Sequence, residues 1–375
     1  MLSKMNRLFQ DWARPKRLAI GKYIWDRKKN KNDKIDMSKV KKILFLRYDG
    51  KIGDMIINTL MFREVKKTYP GIQIDVIVRG TNRQVIENNP YVDKIYEYNK
   101  GIKNLKKLAE EIRKEDYDLL IDFSEMLRVK QMMFINLCKV RINIGLDKSR
   151  WSLFDISVEP EKDFKWTQHI TRRYAAYLKK LGINTEDLSY DIFINSEEEK
   201  IGKDLKDKIG VGNKLITINP YGASKHKTFS KEKIKEMVEF FSDKKDTYIT
   251  FVFPPNKKSE VFEMIKKLKN GKIVINENIK TVRDSAGIIK YSDFIITPDT
   301  SVVHIGAAFD KNMVAVYPPN GGKFGVDHLV WAPSNVGRGS EIVFCEDRKI
   351  PCDETDINNF NFDEFKSFIM QHFYL

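Results

Sequence analysis

The sequence predicts two α/β domains, each a largely parallel sheet with helices on both faces. Three observations carry this. The chain has 375 residues, room for two domains of common size. Short runs of strand formers alternate with stretches of helical spacing, the pattern of βαβ units. The alternation then breaks off in a polar, acidic stretch and starts again.

In the first half, Lys42–Arg47 (KILFLR) reads as a strand, followed by a turn at Asp49–Gly50. Ile52–Tyr69 has Met55, Ile56, Leu60, Phe62 and Val65 at helical spacing, and Pro70–Gly71 ends it. Ile74–Val78, Ile95–Tyr98 and Leu119–Phe123 read as further strands, with a helix over Ile102–Ile112. A helix over Thr167–Leu181 precedes Gly182 and the acidic stretch to Glu199. The second set has strands over Leu215–Asn219, Tyr248–Phe253, Lys272–Ile275, Phe294–Thr297 and Met313–Tyr317. Its helices are Lys231–Phe241, Ser259–Leu268, Val282–Tyr291 and Val302–Phe309, with a last helix at Phe362–Phe373. The expected domains are a basic arm (1–40), two Rossmann-like units (41–185 and 200–360) and a C-terminal helix (361–375).

Apolar residues make up 42% and charged residues 32%, which excludes a wholly disordered or fibrous chain. No apolar run approaches the roughly 20 residues of a membrane-spanning helix. The charged start is unlike a secretory signal, and three cysteines (Cys138, Cys345, Cys352) make no disulfide framework, so a reducing cytoplasm is expected. The net charge is +15, and residues 1–42 hold 14 Lys/Arg against 4 acids, so the basicity describes an arm. Leu8, Phe9, Trp12, Leu18, Ile20, Tyr23, Ile24 and Trp25 are mixed there with Arg14, Lys16, Arg17 and Lys22. Such a segment suits the headgroup region of an anionic leaflet, or packs its apolar side on the body. No nucleic-acid-binding motif follows it. Pro15 starts or breaks a helix, and Arg27–Asp36 reads as a flexible linker.

Three segments following strands carry chemistry. The first is Arg47-Tyr48-Asp49-Gly50-Lys51-Ile52-Gly53-Asp54, where Asp54 opens a helix and is either its cap or a general base facing a cleft. It is neither a dinucleotide fingerprint nor a P-loop. The second is Asn219-Pro220-Tyr221-Gly222-Ala223-Ser224-Lys225-His226-Lys227, small residues and cations before a helix, which suits a phosphate or is simply solvated. The third is Asp299-Thr300-Ser301-Val302-Val303-His304, where Asp299 or Thr300 caps a helix whose free N–H groups form an anion seat. Asn320–Gly325 is a further candidate contact loop. Asp116-Tyr117-Asp118 imitates a metal-binding D-x-D but precedes a strand and reads as a solvated turn, and Cys345 and Cys352 have poor zinc spacing.

In order and spacing these segments resemble glycosyltransferase family 9, which includes the heptosyltransferases that build the lipopolysaccharide inner core from ADP-heptose. The match runs through Arg47, Gly53-Asp54 and Tyr69-Pro70; Asn219-Pro220, Gly222-Ala223-Ser224 and Lys227-Thr228-Phe229; and Asp299-Thr300-Ser301 to His304. A smaller match is His169 with Arg173-Tyr174 ahead of Leu181-Gly182. The resemblance covers about residues 40–320 and implies a glycosyltransferase B fold: two Rossmann-like domains facing a central cleft. It implies an inverting transfer with no required cofactor or metal. Asp54 would be the general base. Gly53, Ser224, Lys227, Asp299, Thr300, Ser301 and His304 would form the nucleotide-sugar site, with Glu260 as the nearest acid for the ribose. It further implies an anionic glycolipid acceptor and a peripheral place on the cytoplasmic face of the inner membrane, with Arg14, Lys16 and Arg17 as contacts to acceptor or membrane. This chain departs from the family pattern in a first loop one residue longer, in Ser301 where glycine is usual, and in Tyr221 between Pro220 and Gly222. Two alternatives stay open: the same machinery with another nucleotide sugar, and a noncatalytic, membrane-associated sugar-nucleotide-binding protein.

Overall fold

A computed structural model describes residues 2–28, 31, 34–222, 224–322, 325–346 and 355–373, with backbone only for 2–11. The chain opens with a long helix, α1 (Leu2–Trp25). The first sheet follows: β1 (Lys42–Leu46), α2 (Ile52–Thr68), β2 (Gln73–Val78), the short α3 (Arg83–Ile86), β3 (Lys94–Glu97), α4 (Ile102–Lys114), β4 (Leu119–Asp122), α5 (Val129–Cys138), β5 (Ile142–Leu146), β6 (Ile156–Val158) and α6 (Ile170–Lys180). The second contains α7 (Ser196–Ile209), β7 (Lys214–Ile218), α8 (Lys231–Ser242), β8 (Thr247–Phe251), α9 (Lys258–Leu268), α10 (Val282–Tyr291), β9 (Phe294–Pro298), α11 (Ser301–Ala308), β10 (Met313–Tyr317), α12 (Asp327–Val330), β11 (Ser340–Phe344) and α13 (Phe362–Phe373).

Both sheets are parallel, with orders β3-β2-β1-β4-β5-β6 and β11-β10-β9-β7-β8. The strands are continuous apolar runs because helices cover both faces; Ile43, Leu44 and Phe45 of β1 have no exposed surface. Strand order reverses beside β1 in one sheet and beside β7 in the other. The crevice outside the carboxyl ends at such a reversal is where open α/β sheets bind ligands. The loops after β1, β7 and β9 open there, and they carry the three motif segments.

Four expectations are corrected. Lys272–Ile275 is not a ladder strand; it reaches β8 through one bridge, Ile249 to Ile273, between turns at Asn270 and Asn276. It lies at the edge beyond β8, and the turns on either side leave it one paired residue. Arg27–Asp36 is not a free linker. Asn136 Nδ2 donates to Arg27 O at 2.9 Å, Lys28 pairs with Asp155, and Asp36 caps the turn at Met37–Lys39. Residues 29, 30, 32 and 33 of that stretch lie outside the described residues. Pro15 neither starts nor ends α1 but lies within it. The Asp116–Asp118 turn is not merely solvated either: Asp118 Oδ2 accepts from the backbone N–H groups of Lys41 and Lys42 and its other oxygen meets Arg141, tying β1 to the amino edge of β4. Cys345 is buried, and Cys352 lies outside the described residues.

The passage between sheets is fastened to α2. Arg63 Nη1 binds Asp191 at 2.9 Å, and Thr59 Oγ1 accepts from Asp191 N at 2.7 Å. The chain then enters α7, where Asn195 and Glu198 cap the helix reciprocally. α7 crosses α10 with backbones in contact: a Cβ on Gly202 would overlap Gly287 O, and a Cβ on Gly287 would overlap Glu198 O. Two further contacts join the sheets' layers. Arg283 of α10 donates to Gln84 O and pairs with Glu87 at 2.7 Å, and α2 packs against α11.

The α7–α10 crossing yields a test. Gly287→Ala is expected to cost about 1–3 kcal/mol in urea denaturation, because backbone atoms on both sides cannot give way. Gly71→Ala, with no atom within 4 Å of an added Cβ, is the control and stays within about 0.5 kcal/mol.

Candidate active site

Asp54 lies in the first turn of α2 but does not cap it. The cap residue is Lys51, which makes no side-chain cap bond. The Asp54 carboxylate instead turns toward Arg47 at the end of β1: Arg47 Nη1 donates to Asp54 Oδ1 at 3.1 Å. Asp54 Oδ2 is loosely held, 3.8 Å from Lys51 Nζ. Gly50, at φ +81°, makes the tight turn that brings these groups together.

Arg47 is itself buried and fully engaged. Nη1 also donates to Asp49 at 2.9 Å, Nη2 to the Tyr174 hydroxyl at 2.7 Å, and Nε to Asn58 Oδ1. Its guanidinium stacks 4.9 Å over Phe123. Burial alone would lower its pKa, but Tyr174, Asp54 and Asp49 hold it raised, so it stays charged. Burial raises Asp54 above the ordinary carboxylate range, against the lowering pull of Arg47 and Lys51.

Across the cleft, Thr300 caps α11, with Oγ1 accepting from Val302 N at 3.2 Å. Asn219 Nδ2 donates to the same oxygen at 3.0 Å, which joins the loop after β7 to the loop after β9. Ser301, partly exposed, is the first helical residue. Lys227 Nζ donates to Asp299 Oδ2 at 2.9 Å. Gly222 is required beneath it, since a Cβ there would overlap the Lys227 carbonyl. Ser224 is exposed, and its carbonyl accepts from Lys227 N at 3.1 Å and Thr228 Oγ1 at 2.9 Å. Glu260 stands at the outer end of this loop, paired with Lys257 at 2.6 Å and bonded to Tyr221. With Pro220, Tyr221, Phe229 and Met264 it lines a small hollow.

The two sides meet at Gly53. A Cβ on Gly53 would come 2.7 Å from His304 Cδ2 and 3.6 Å from Ser301 Cα. His304 is buried between Gly53, Tyr190 (hydroxyl to Nδ1, 3.4 Å) and the Trp331 ring. Burial drops its pKa to about 3, so it is neutral and packs rather than titrates. The cleft thus joins Gly53, Asp54, Lys227, Asp299, Thr300, Ser301 and His304, with Ser224 and Glu260 farther along the β7 side. Arg14, Lys16 and Arg17 are exposed on α1 instead.

Several cleft residues escaped sequence reasoning as individuals. Arg47, Arg173 and Tyr174 sat within motif matches without a role. Arg173 stacks 4.5 Å over Trp166 and 5.3 Å over Phe164, pairs with Glu125 at 3.0 Å, and has a buried Nε without a hydrogen-bond partner. Asp327 and Trp331, from the α12 segment, carried no signal. The Trp331 ring lies 6.0 Å below Lys51 Nζ, and the following carbonyl, Ala332 O, meets His169 Nε2 at 3.0 Å. Asp327 presses on Gly322, whose φ of +78° and missing Cβ leave room for it, and burial raises its pKa, with Asp299 adding to the rise. Lys323 and Phe324 of that loop lie outside the described residues. Among the described residues, no three His, Cys, Asp or Glu side chains gather as metal ligands. No helix among them is long and apolar enough to cross a membrane.

The family model of glycosyltransferase family 9 (heptosyltransferase) matches residues 105–341. The chain belongs to this family. A candidate lipopolysaccharide heptosyltransferase 4 of Escherichia coli K12 is 27% identical over 82% of this chain and 83% of the relative. Lipopolysaccharide heptosyltransferase 3 of the same strain is 22% identical over 75% and 82%. Among solved structures, a family 9 glycosyltransferase from Veillonella parvula has a TM-score of 0.72 at 17% identity, covering 91% of this chain and 100% of its own. The E. coli heptosyltransferase WaaC with ADP has a TM-score of 0.67 at 15% identity, covering 88% and 99%. The fold is the glycosyltransferase B fold of the heptosyltransferases, and this family 9 member is a glycosyltransferase.

Arg47→Met separates the buried cation from its partners. It is expected to lower stability by about 3–5 kcal/mol in chemical denaturation, because Asp54 and Asp49 are left without their shared cation. A loss under about 1 kcal/mol would show that Arg47 does not organise the site.

Proposed function

We propose that this protein is an inverting transferase that moves heptose from ADP-heptose to the lipopolysaccharide inner core, with Asp54 as general base. The observation that carries the reading is the contact at Gly53. It brings the start of α2, which carries Asp54, up to Ser301 at the N-terminus of α11, and this supports a base and a phosphate seat sharing one cleft. The named substrates of the relatives, and the ADP in the WaaC structure, support the donor and acceptor.

In this reading the adenosine lies over the β7 loop, near Tyr221, with Glu260 as the acid beside the ribose. The diphosphate rests on Thr300, Ser301 and the free N–H groups of α11, and Lys227 swings from Asp299 to meet its charge. The acceptor hydroxyl approaches from the β1 side. Its proton passes to Asp54 as its oxygen forms the new bond to the anomeric carbon. The bond from that carbon to the diphosphate breaks on the opposite face, which inverts the centre. Donors fixed on the developing diphosphate charge are commonly each worth a few kcal/mol. Arg47 holds Asp54 Oδ1, which aims the other oxygen at the incoming hydroxyl. His304 and Gly53 set the spacing of the two halves.

Asp54→Asn is expected to lower kcat at least about a hundredfold while ADP affinity barely moves. Unchanged turnover removes Asp54 from the chemistry. The pH profile carries a sign. A base acts when ionised, so the rate rises with pH through the pKa of Asp54 and levels off above it. Burial puts that acid limb above the roughly 3.9 of a free aspartate, and the limb vanishes from the residual rate of Asp54→Asn. For the donor, ADP is expected to bind more tightly than UDP or GDP in parallel titrations, and ADP-heptose to be consumed with a truncated inner-core acceptor. A preference for another nucleotide rejects heptose and leaves the role of Asp54 standing.

A further inference from the structure

Helix α1 is anchored on the body near its end. A Cβ on Gly21 would come within 2.6 Å of Val129, the first residue of α5. Asn136, near the other end of α5, donates to Trp25 O at 2.9 Å. Asp26 accepts from Leu153 N at 2.8 Å, and Lys22 donates to Arg150 O at 3.1 Å above the Trp151 ring. These contacts make α1 parallel to α5. Val129 follows the loop that leaves β4 at its carboxyl edge, the edge that opens on the cleft. The part of α1 before Gly21 therefore extends past that edge, by about 30 Å at about 1.5 Å per residue.

This overhang has an amphipathic surface. From Trp12 to Ile20 every residue is exposed except the half-buried Ala13. Trp12, Ile20 and Tyr23 are 61%, 62% and 75% exposed. At about 100° per residue the three fall within an arc of about 80°, turned away from the docked Gly21 and Trp25. Lys16 stands in the same arc, with Nζ 3.7 Å from the centre of the Trp12 ring, and Arg14 and Arg17 are exposed on the same stretch.

We propose that α1 is a docking helix for an anionic bilayer surface, fixed on α5 so that the cleft rim at the β4–α5 loop faces the lipid. Aromatic rings with a polar edge and an interleaved lysine suit the headgroup layer, where the rings leave water and the cations stay solvated. The surplus of 14 Lys/Arg over 4 acids in residues 1–42 complements an anionic leaflet. A nucleic acid fits less well, because the aromatics form one arc of a helix and not a platform along a groove. The inference goes beyond the transfer reaction, and its test needs neither donor nor acceptor.

The test is co-sedimentation of the full chain with phosphatidylcholine vesicles and with vesicles about one-third phosphatidylglycerol. Retention on the anionic vesicles alone is expected. Lys16→Ala with Arg17→Ala should weaken it about thirtyfold. Trp12→Ala, Ile20→Ala and Tyr23→Ala together should abolish it while ADP affinity is kept, which shows that the body is folded. Orientation is read by labels at Met126→Cys, on the β4–α5 loop, and at Met370→Cys, on α13, each in a Cys352→Ser background. Doxyl-lipid quenching is expected at the first and not at the second. Binding that ignores lipid charge or either set of variants overturns the membrane role. So does retention on DNA or RNA, lost in the same variants, without vesicle binding. Equal quenching at both labels overturns the orientation.

Discussion

A buried guanidinium organises the β1 side of the cleft. Arg47 leaves water at the end of β1, where only hydrogen-bonded anions and acceptors make its charge tolerable. It finds Asp49 from its own loop, Asp54 and Asn58 from α2 and Tyr174 from α6. The partners on α2 and α6 come from elements that must pack correctly first, so the position of the Asp54 carboxylate reports on the assembly of that half. The same desolvation raises the pKa of Asp54, and a more basic carboxylate is a better proton acceptor provided it is ionised.

The second constraint is the approach of α2 to α11. A helix start that carries a carboxylate and a helix start that offers free N–H groups can share a substrate only if little stands between them. Gly53 removes its own side chain, and His304 fills the remaining gap as an uncharged ring. Neutral packing there leaves Lys227 and the α11 amides as the positive groups of that side. The α12 segment closes the contact from the other side, with Trp331 against both His304 and Lys51.

Much of the fold was legible because parallel strands buried on both faces are unbroken apolar words in the sequence. KILFL, LLID, LITI and MVAVY stand out against their flanks. β5 and β6 did not, since β5 carries Asn143 and Gly145 and β6 is three residues long. Gly145 is explained only by the Lys148 and Phe154 side chains that crowd its face. α5 was missed because its apolar residues show no single stripe, being covered by both α4 and α1. Lys272–Ile275 read as a strand from composition, but composition cannot say whether a segment pairs along its length or at one residue.

The sequence by itself determined the two alternating α/β units, the loops that bear Asp54, Lys227 and Thr300, and the family those loops resemble. These are local properties: periodicity, turn residues and the spacing of a few polar side chains. The tertiary structure decided that Arg47, not a helix cap, takes the Asp54 carboxylate, that Gly53 exists for His304, and that the arm is fastened at Gly21 instead of trailing. Each of these joins residues far apart in the chain, and no local pattern encodes which distant side chain will fill the space a glycine leaves open.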